Sequence, residues 1–222
     1  MISTVIFDFD GVIVDSVDIK GQAFCHLFRD QPEEIRQQIA DLHANHAGMT
    51  RYEKFKIICQ EFLNQPATAA DLERLSAEFS RFCVEKIIST AYIRGAFEFI
   101  SKHYTDYDLY VASSAPESEL KEIVNRRGIG GFFKATFGTP RKKLDICRAI
   151  LEENQLPPQK VAFIGDSISD YEVARQCGTH FIGRVDENSQ DLLSKQPLRI
   201  KLRDLSSLND VLLYQCNGGN EL

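Results

Sequence analysis

The run Val5-Ile6-Phe7-Asp8-Phe9-Asp10-Gly11-Val12 constrains this chain most. It reads as a buried strand, apolar and β-branched, that runs straight into two carboxylates and a glycine. Side chains alternate across a strand, so Asp8 and Asp10 leave on the same side, roughly 7 Å apart along it. Two acids at the end of an apolar strand are costly unless something cationic meets them. Gly11 breaks the strand and lets the chain turn sharply. Three readings compete: a surface strand end with chance acids, a calcium loop, and a phosphoryl-transfer site with Asp8 as nucleophile and Asp10 as its acid/base partner. A calcium loop of the EF-hand type needs ligands at its positions 5 and 12 and Gly at 6. Counted from Asp8, those positions hold Val12, Ile19 and Ile13, so that reading fails. The rest of the chain decides between the other two.

After this strand, Asp15 or Ser16 can cap a helix from about Val17 to Arg29, and Pro32 fits the first turn of another that runs to about Asn45. Thr50-Arg51-Tyr52-Glu53 is a capping box, and the helix behind it carries Phe55, Ile58, Cys59 and Phe62 at helical spacing. A last long helix covers about Ala69 to Ser89. From about Ile93 onward strands and helices alternate. The predicted strands are Leu109–Ser113, Phe133–Phe137, Val161–Gly165 and Phe181–Val185, and the helices lie near Gly95–His103, Pro116–Arg127, Lys142–Asn154 and Ser169–Gln176. Alternation of this kind predicts an α/β fold, a Rossmann-like parallel sheet covered by helices on both faces. The first strand belongs with these. Residues 1–15 and 91–216 therefore read as one α/β core, residues 16–90 as an inserted all-helical cap, and residues 217–222 as a disordered tail.

Composition narrows the function. With 222 residues, 43% of them hydrophobic, the chain is long enough for a sizeable core plus a smaller second domain. A formal charge of -6 without a long basic stripe argues against nucleic acid as a partner. No apolar run approaches the ~18 residues of a membrane span, and no secretory n-region and h-region open the chain. The six cysteines are scattered without a CxxC pair, which fits a reduced, cytoplasmic protein. His43 and His46 lie three apart on a helix, without a third ligand nearby, and read as a surface face. Gly128, Gly130 and Gly131 follow a helix and precede a strand, the wrong order for a dinucleotide loop; they read as a helix stop and turn. The sequence implies no particular oligomeric state.

Ligands of an open parallel sheet bind beyond the carboxyl ends of its strands. Strand one ends in Asp8 and Asp10, the next in Ser113 and Ser114, and Val161–Gly165 runs into Asp166 with Asp170 four residues on; Lys142 and Lys143 begin the helix before that strand. Singly, each has a plain reading as a helix cap, a helix-dipole acid or a solvated lysine. Their joint arrival at successive strand ends favours a site.

These residues resemble the haloacid dehalogenase superfamily: DFDGVIVDS, the serine after an apolar strand, a downstream lysine, and GDSISD. The helical insertion right after DFDGVIVDS is similar to the C1 cap of its phosphoglycolate phosphatase and β-phosphoglucomutase branch. The resemblance implies that Asp8 attacks phosphorus to form an aspartyl phosphate, and that Asp10 protonates the leaving oxygen and then activates water. It implies Mg²⁺ held by side-chain oxygens of Asp8 and Asp166 and the backbone carbonyl of Asp10, with Asp170 orienting the metal site or the lysine. Ser113 would bind the transferring phosphoryl group, beside Ser114, and a lysine would neutralise it. Many relatives carry that lysine in a KPxPD segment; here Thr139-Pro140-Arg141-Lys142-Lys143-Leu144-Asp145 offers two, and spacing favours Lys143.

The implied activity is a Mg²⁺-dependent phosphatase acting on a small phosphate ester, a sugar phosphate or a phosphorylated acid. Relatives that cleave carbon–halogen or phosphonate bonds lack the second acid, Asp10. Gly48-Met49-Thr50-Arg51 resembles the cap segment of β-phosphoglucomutase whose arginine meets the substrate's far phosphate, so a mutase is the alternative; that enzyme carries a histidine where this chain has Lys20. A phospho-receiver module shares the Asp, Ser and Lys chemistry but has about half this length and no helical insertion, and a non-enzymatic binding protein is the other reading outside enzymes. Lys20 and Arg51 are expected to face the cleft between cap and core and to bind a second anionic group of the substrate.

Overall fold

The computed structural model describes residues 1–46, 48–185, 193 and 195–215. The expected tail at 217–222 and Cys216, the last residue of the expected core, lie outside them. Six strands form one sheet: β1 (Thr4–Phe7), β2 (Asp108–Pro116), β3 (Ala135–Thr139), β4 (Val161–Gly165), β5 (His180–Arg184) and β6 (Lys201–Leu202). They are all parallel, in the order β3-β2-β1-β4-β5-β6. The two-residue β6 has no counterpart among the predicted strands, because a stretch that short carries no periodicity to read.

The sheet is buried on both sides, as its sequence requires. Val5 and Phe7 face a core shared with Phe99 and Ile100 of α5 (Ala96–His103) and Leu120 and Ile123 of α6 (Glu117–Arg126). Ile6 faces the opposite core, with Ile146 and Ile150 of α7 (Lys143–Glu153) and Val173 and Ala174 of α8 (Ile168–Cys177). Each such side chain, taken fully out of water, contributes roughly 1.5–3 kcal/mol. The glycines behave as helix stop and turn: Gly128 ends α6 in the left-handed region, φ +71°.

Between β1 and β2, besides α5, lie four α-helices among the described residues: α1 (Val17–Leu27), α2 (Glu33–Asn45), α3 (Arg51–Ile57) and α4 (Ala69–Ser89), which form the helical insertion. The Thr50/Glu53 capping box forms, and a second one, Thr68/Asp71, starts α4. The helix behind Thr50 departs from the expected pattern, passing into a π turn over Ile58–Phe62. Phe24, Phe55 and Phe79 pack as a triad of rings 4.8–6.0 Å apart at the centre of the helical unit. Its two connections to the core run side by side. Val14 bridges to Tyr92, Asp15 N–H donates to the Ala91 carbonyl at 3.0 Å, and Ile93 N–H donates to the Ile13 carbonyl at 3.0 Å. Among the described residues no helix is long and apolar enough to cross a membrane.

Candidate active site

The site lies where strand order reverses, at the carboxyl ends of β1 and β4, the switch point of an open parallel sheet. β1 ends at Phe7, one residue before Asp8, so simple strand alternation does not carry Asp10 to the same side as Asp8. A tight turn does it. Ile13 and Val14 N–H both donate to the Phe9 carbonyl, and Gly11 N–H donates to the Val14 carbonyl at 2.8 Å. Gly11 takes φ +74°, and a β-carbon there would strike the Asp166 carboxylate, so glycine alone fits the turn.

Asp8, Asp10, Ser113, Ser114, Lys143, Asp166, Lys20 and Arg51 all line one cavity between the sheet and the helical insertion. Asp8 Oδ1 accepts the Phe9 N–H at 2.7 Å, and its Oδ2 lies 2.8 Å from Lys143 Nζ. Lys143, the first residue of α7, also donates to Asp170 Oδ1 at 2.7 Å. Asp170 Oδ2 accepts the Ser167 hydroxyl at 2.6 Å, which starts α8 with a capping box. Lys142, by contrast, is exposed. Burial pushes the Asp8 carboxyl up to about 7, with Lys143 opposing and Asp170 and Asp10 adding to the rise. Burial, then the charges of Asp8 and Asp170, push Asp166 well above the carboxylate range. Burial also acts to lower Lys143, but the Asp170 and Asp8 carboxylates outweigh it and raise the ammonium.

This cluster fits a divalent cation. One carboxylate oxygen from each of Asp8, Asp166 and Asp170 lies within 4.8 Å of the others. The donors are hard oxygens, which suit Mg²⁺. Asp166 has no cation within 4 Å among the described residues, and the charges of Lys143 and Arg184 reach it only from farther away. Asp170 is different: both its oxygens are engaged by Lys143 and Ser167, which makes it the residue that holds the lysine.

Several of these side chains have partners that the sequence did not suggest. Lys20, half-buried on α1, lies 2.5 Å from Asp10 Oδ2, and the Ser16 hydroxyl donates to Asp10 Oδ1 at 2.6 Å. Burial acts to raise Asp10, but Lys20 and Ser16 outweigh it and hold it below the usual range. Arg51 is not on a solvated helix face. Its guanidinium is buried in a bidentate bond to Glu119 of α6 at 2.6 and 2.9 Å, donates to Ser80 Oγ at 2.7 Å and lies over the Phe79 ring. Both cations expected to wait for a substrate anion are thus already matched by carboxylates. The Ser114 hydroxyl donates to the Gly48 carbonyl at 2.9 Å, tying the core to the insertion, while Ser113 Oγ accepts the Ala115 N–H at 3.1 Å.

His43 corrects the expectation of a surface face. Its Nε2 lies 3.2 Å from the Val17 carbonyl and its Nδ1 3.0 Å from Lys54 Nζ, so the neutral ring donates at Nε2 and accepts at Nδ1. Burial and the Lys54 charge push it down to about 4. Lys54 is itself buried, and burial followed by the charge of Lys20 pushes it down to about 7. Lys54, which lines the cavity, and Glu119, which binds the cavity residue Arg51 from behind, were both unforeseen. Lys54 is three residues after Arg51 and shares its helix face, a signal that the sequence did contain. Glu119 carried none, since its partner is 68 residues away.

Residues 5–184 match the family model described as haloacid dehalogenase-like hydrolase. A phosphorylated carbohydrates phosphatase of Thermotoga maritima is 26% identical over 84% of this chain and 87% of its own. A phosphoglycolate phosphatase of Vibrio cholerae is 25% identical over 82% and 84%. In three dimensions the chain is similar to a β-phosphoglucomutase of Clostridium difficile, with a TM-score of 0.75, 16% identity and 97% of each chain covered. It is also similar to a HAD-hydrolase of Bacillus subtilis bound to magnesium, with a TM-score of 0.71, 22% identity and 96% and 99% covered. With a family model spanning most of its length and a parallel sheet that carries the acids at its switch point, this chain belongs to the haloacid dehalogenase-like hydrolase family.

Proposed function

We propose that the protein is a Mg²⁺-dependent phosphatase of a small phosphorylated metabolite, working through an aspartyl phosphate on Asp8. The observation that carries this reading is Asp8 itself: an acid at the end of β1, bound to Lys143 and facing a cavity it shares with Asp10, Ser113 and Asp166. Asp8 attacks phosphorus, and the bond from phosphorus to the leaving alkoxide breaks. Asp10 gives that oxygen its proton. Asp10, now ionised, takes a proton from water as the water attacks the aspartyl phosphate, and inorganic phosphate leaves with Asp8 restored. Held by Lys20, Asp10 is in the ionised form that the second step needs. The first step requires Lys20 to withdraw, or to pass its own proton through Asp10 to the leaving oxygen. Lys143 offsets charge on Asp8 and on the phosphoryl group, and Asp170 fixes Lys143. Ser113, on the adjacent strand β2, hydrogen-bonds the phosphoryl oxygens.

Asp8 and Asp166 would hold Mg²⁺, with the Asp10 carbonyl and Asp170 completing its surroundings. When bound, Mg²⁺ offsets the repulsion between an anionic nucleophile and a phosphate dianion. The curated relatives are named for phosphorylated carbohydrates and for phosphoglycolate, so the substrate class is a sugar phosphate or a phosphorylated acid. The mutase reading loses support at Arg51, whose engagement by Glu119 leaves no free guanidinium for a far phosphate. The test is a panel of phosphate esters assayed with Mg²⁺ and again in excess EDTA. Release of inorganic phosphate that EDTA abolishes and Mg²⁺ restores is expected; undiminished turnover in EDTA would remove the metal from the reading.

A further inference from the structure

Four cationic side chains line the cavity: Lys20, Arg51, Lys54 and Lys143. Three have a carboxylate of their own. Lys20 meets Asp10 at 2.5 Å, Arg51 meets Glu119 at 2.6 Å, and Lys143 meets Asp8 and Asp170 at 2.8 and 2.7 Å. Lys54 has none within 4 Å among the described residues. Its Nζ donates to His43 Nδ1 at 3.0 Å and lies 5.6 Å from the centroid of the Phe24 ring, and the residue is only 3% exposed. An ammonium has three N–H donors, and a neutral imidazole satisfies one of them without supplying charge. A buried cation with no anion is costly, and the insertion gains nothing in folding from keeping one.

We propose that Lys54 determines specificity, taking a second anionic group, a carboxylate or a second phosphate, on the ester whose phosphoryl group is delivered to Asp8. This rests on the phosphatase reading above and deepens it. His43 is the positioning residue. Its Nε2–H is fixed on the Val17 carbonyl, so its Nδ1 lone pair holds the ammonium in place while leaving the charge uncancelled. The groups whose charge reaches Lys54 are Lys20 from α1 and Asp10 and Asp166 from the core, with neutral His43 from α2; none is close enough to replace the missing anion. Arg51, three residues earlier on the same helix, is held by Glu119 and Ser80 and does not serve in this place.

The experiment compares kcat/KM with Mg²⁺ for matched esters: 2-phosphoglycolate against 2-hydroxyethyl phosphate, and fructose 1,6-bisphosphate against fructose 6-phosphate. The wild-type enzyme should favour the anionic member of at least one pair by ~10-fold or more, and the pair that shows it separates carboxylate from phosphate. In Lys54→Met and Lys54→Gln that ratio should fall by roughly 10- to 100-fold, mainly through KM. A ratio unchanged in both variants, or a wild-type enzyme that prefers the neutral member of each pair, would overturn the role of Lys54 while leaving a working phosphatase. A wild-type enzyme inert on every ester would instead overturn the phosphatase reading and this one with it. The wild-type ratios need no variant, so they decide even where a substitution unfolds the protein.

Discussion

The floor and the roof of the cavity are built to opposite rules. On the floor, Asp8, Asp166 and Asp170 crowd together from two strand ends and the first turn of α8 around one lysine, Lys143. On the roof, Lys20, Arg51 and Lys54 come down from two helices with no acid of their own against them, and the core reaches up with Asp10 and Glu119 to meet two of the three. After these pairings, one acid on the floor and one cation on the roof have no opposite charge within 4 Å among the described residues: Asp166 and Lys54. The floor's surplus suits a metal ion and the roof's suits an anionic ligand. A common phosphoryl chemistry can thus sit on the floor while the roof selects what is brought to it.

The largest expected effect tests the floor. Asp8→Asn keeps size and the Phe9 N–H contact but removes the nucleophile, so turnover should fall by on the order of 10⁴-fold or more. The fold should persist, because Lys143 keeps Asp170 as its partner. Circular dichroism and phosphate release on the same sample check both halves. Near-normal turnover in a folded Asp8→Asn would move the nucleophile elsewhere and break the division between floor and roof.

The floor was far more legible in the sequence than the roof. A parallel sheet places the end of each strand at one rim, so acids at the ends of β1 and β4 meet whatever the helices do. The α/β core and the helical insertion follow from a change of hydrophobic period, which is local information. Even there the reason that Asp10 joins Asp8 was not strand alternation but the turn from Phe9 to Val14. The roof depends on which helix faces pack together. Arg51 was readable as a rigid cation at a helix start, but its partner Glu119 comes from another region and is fixed only by tertiary packing. His43 looked like a surface residue because its burial is made by Lys54 and Val17, from two neighbouring segments.

The Arg51–Glu119 pair sharpens the contrast, since it joins the roof to the core. Its two side chains are 5% and 7% exposed, so screening by water is slight. Removing either partner alone leaves a buried charge. Arg51→Met should cost about 3 kcal/mol, lowering Tm by roughly 6–12 °C for a chain of this size. The double variant Arg51→Met/Glu119→Leu should recover most of that loss, because an apolar pair of similar volume replaces two desolvated charges. A double-mutant cycle in thermal or denaturant unfolding measures the coupling. Strictly additive losses would show that the pair is not a stabilising latch and return Arg51 to the candidates for substrate binding.

The smallest effect is a difference in pH dependence between the two surfaces. Asp8 titrates near 7 in the folded protein and near 4 unfolded, so between those values the folded state binds more protons. Stability contributed through Asp8 is therefore present at low pH and lost as pH rises toward 7, and Asp166 shifts in the same direction. Lys54 has the opposite sign. It titrates near 7 when folded and near 10.4 unfolded, so the unfolded state binds more protons across that window and stability rises with pH above 7. His43, pushed down to about 4, offsets part of the floor's slope below pH 6.5, so the contributions must be separated by difference. Mg²⁺ competes with protons only on the floor. The Tm increase produced by Mg²⁺ should be several degrees at pH 7.5 and close to zero at pH 5. Lys54→Met touches only the roof, and should flatten the rise in Tm between pH 7 and 9 while leaving the response to Mg²⁺ in place. A Mg²⁺ shift of equal size at both pH values would mean that the floor acids are not protonated in its absence. A Mg²⁺ response abolished by Lys54→Met would mean that floor and roof act as one unit, not two.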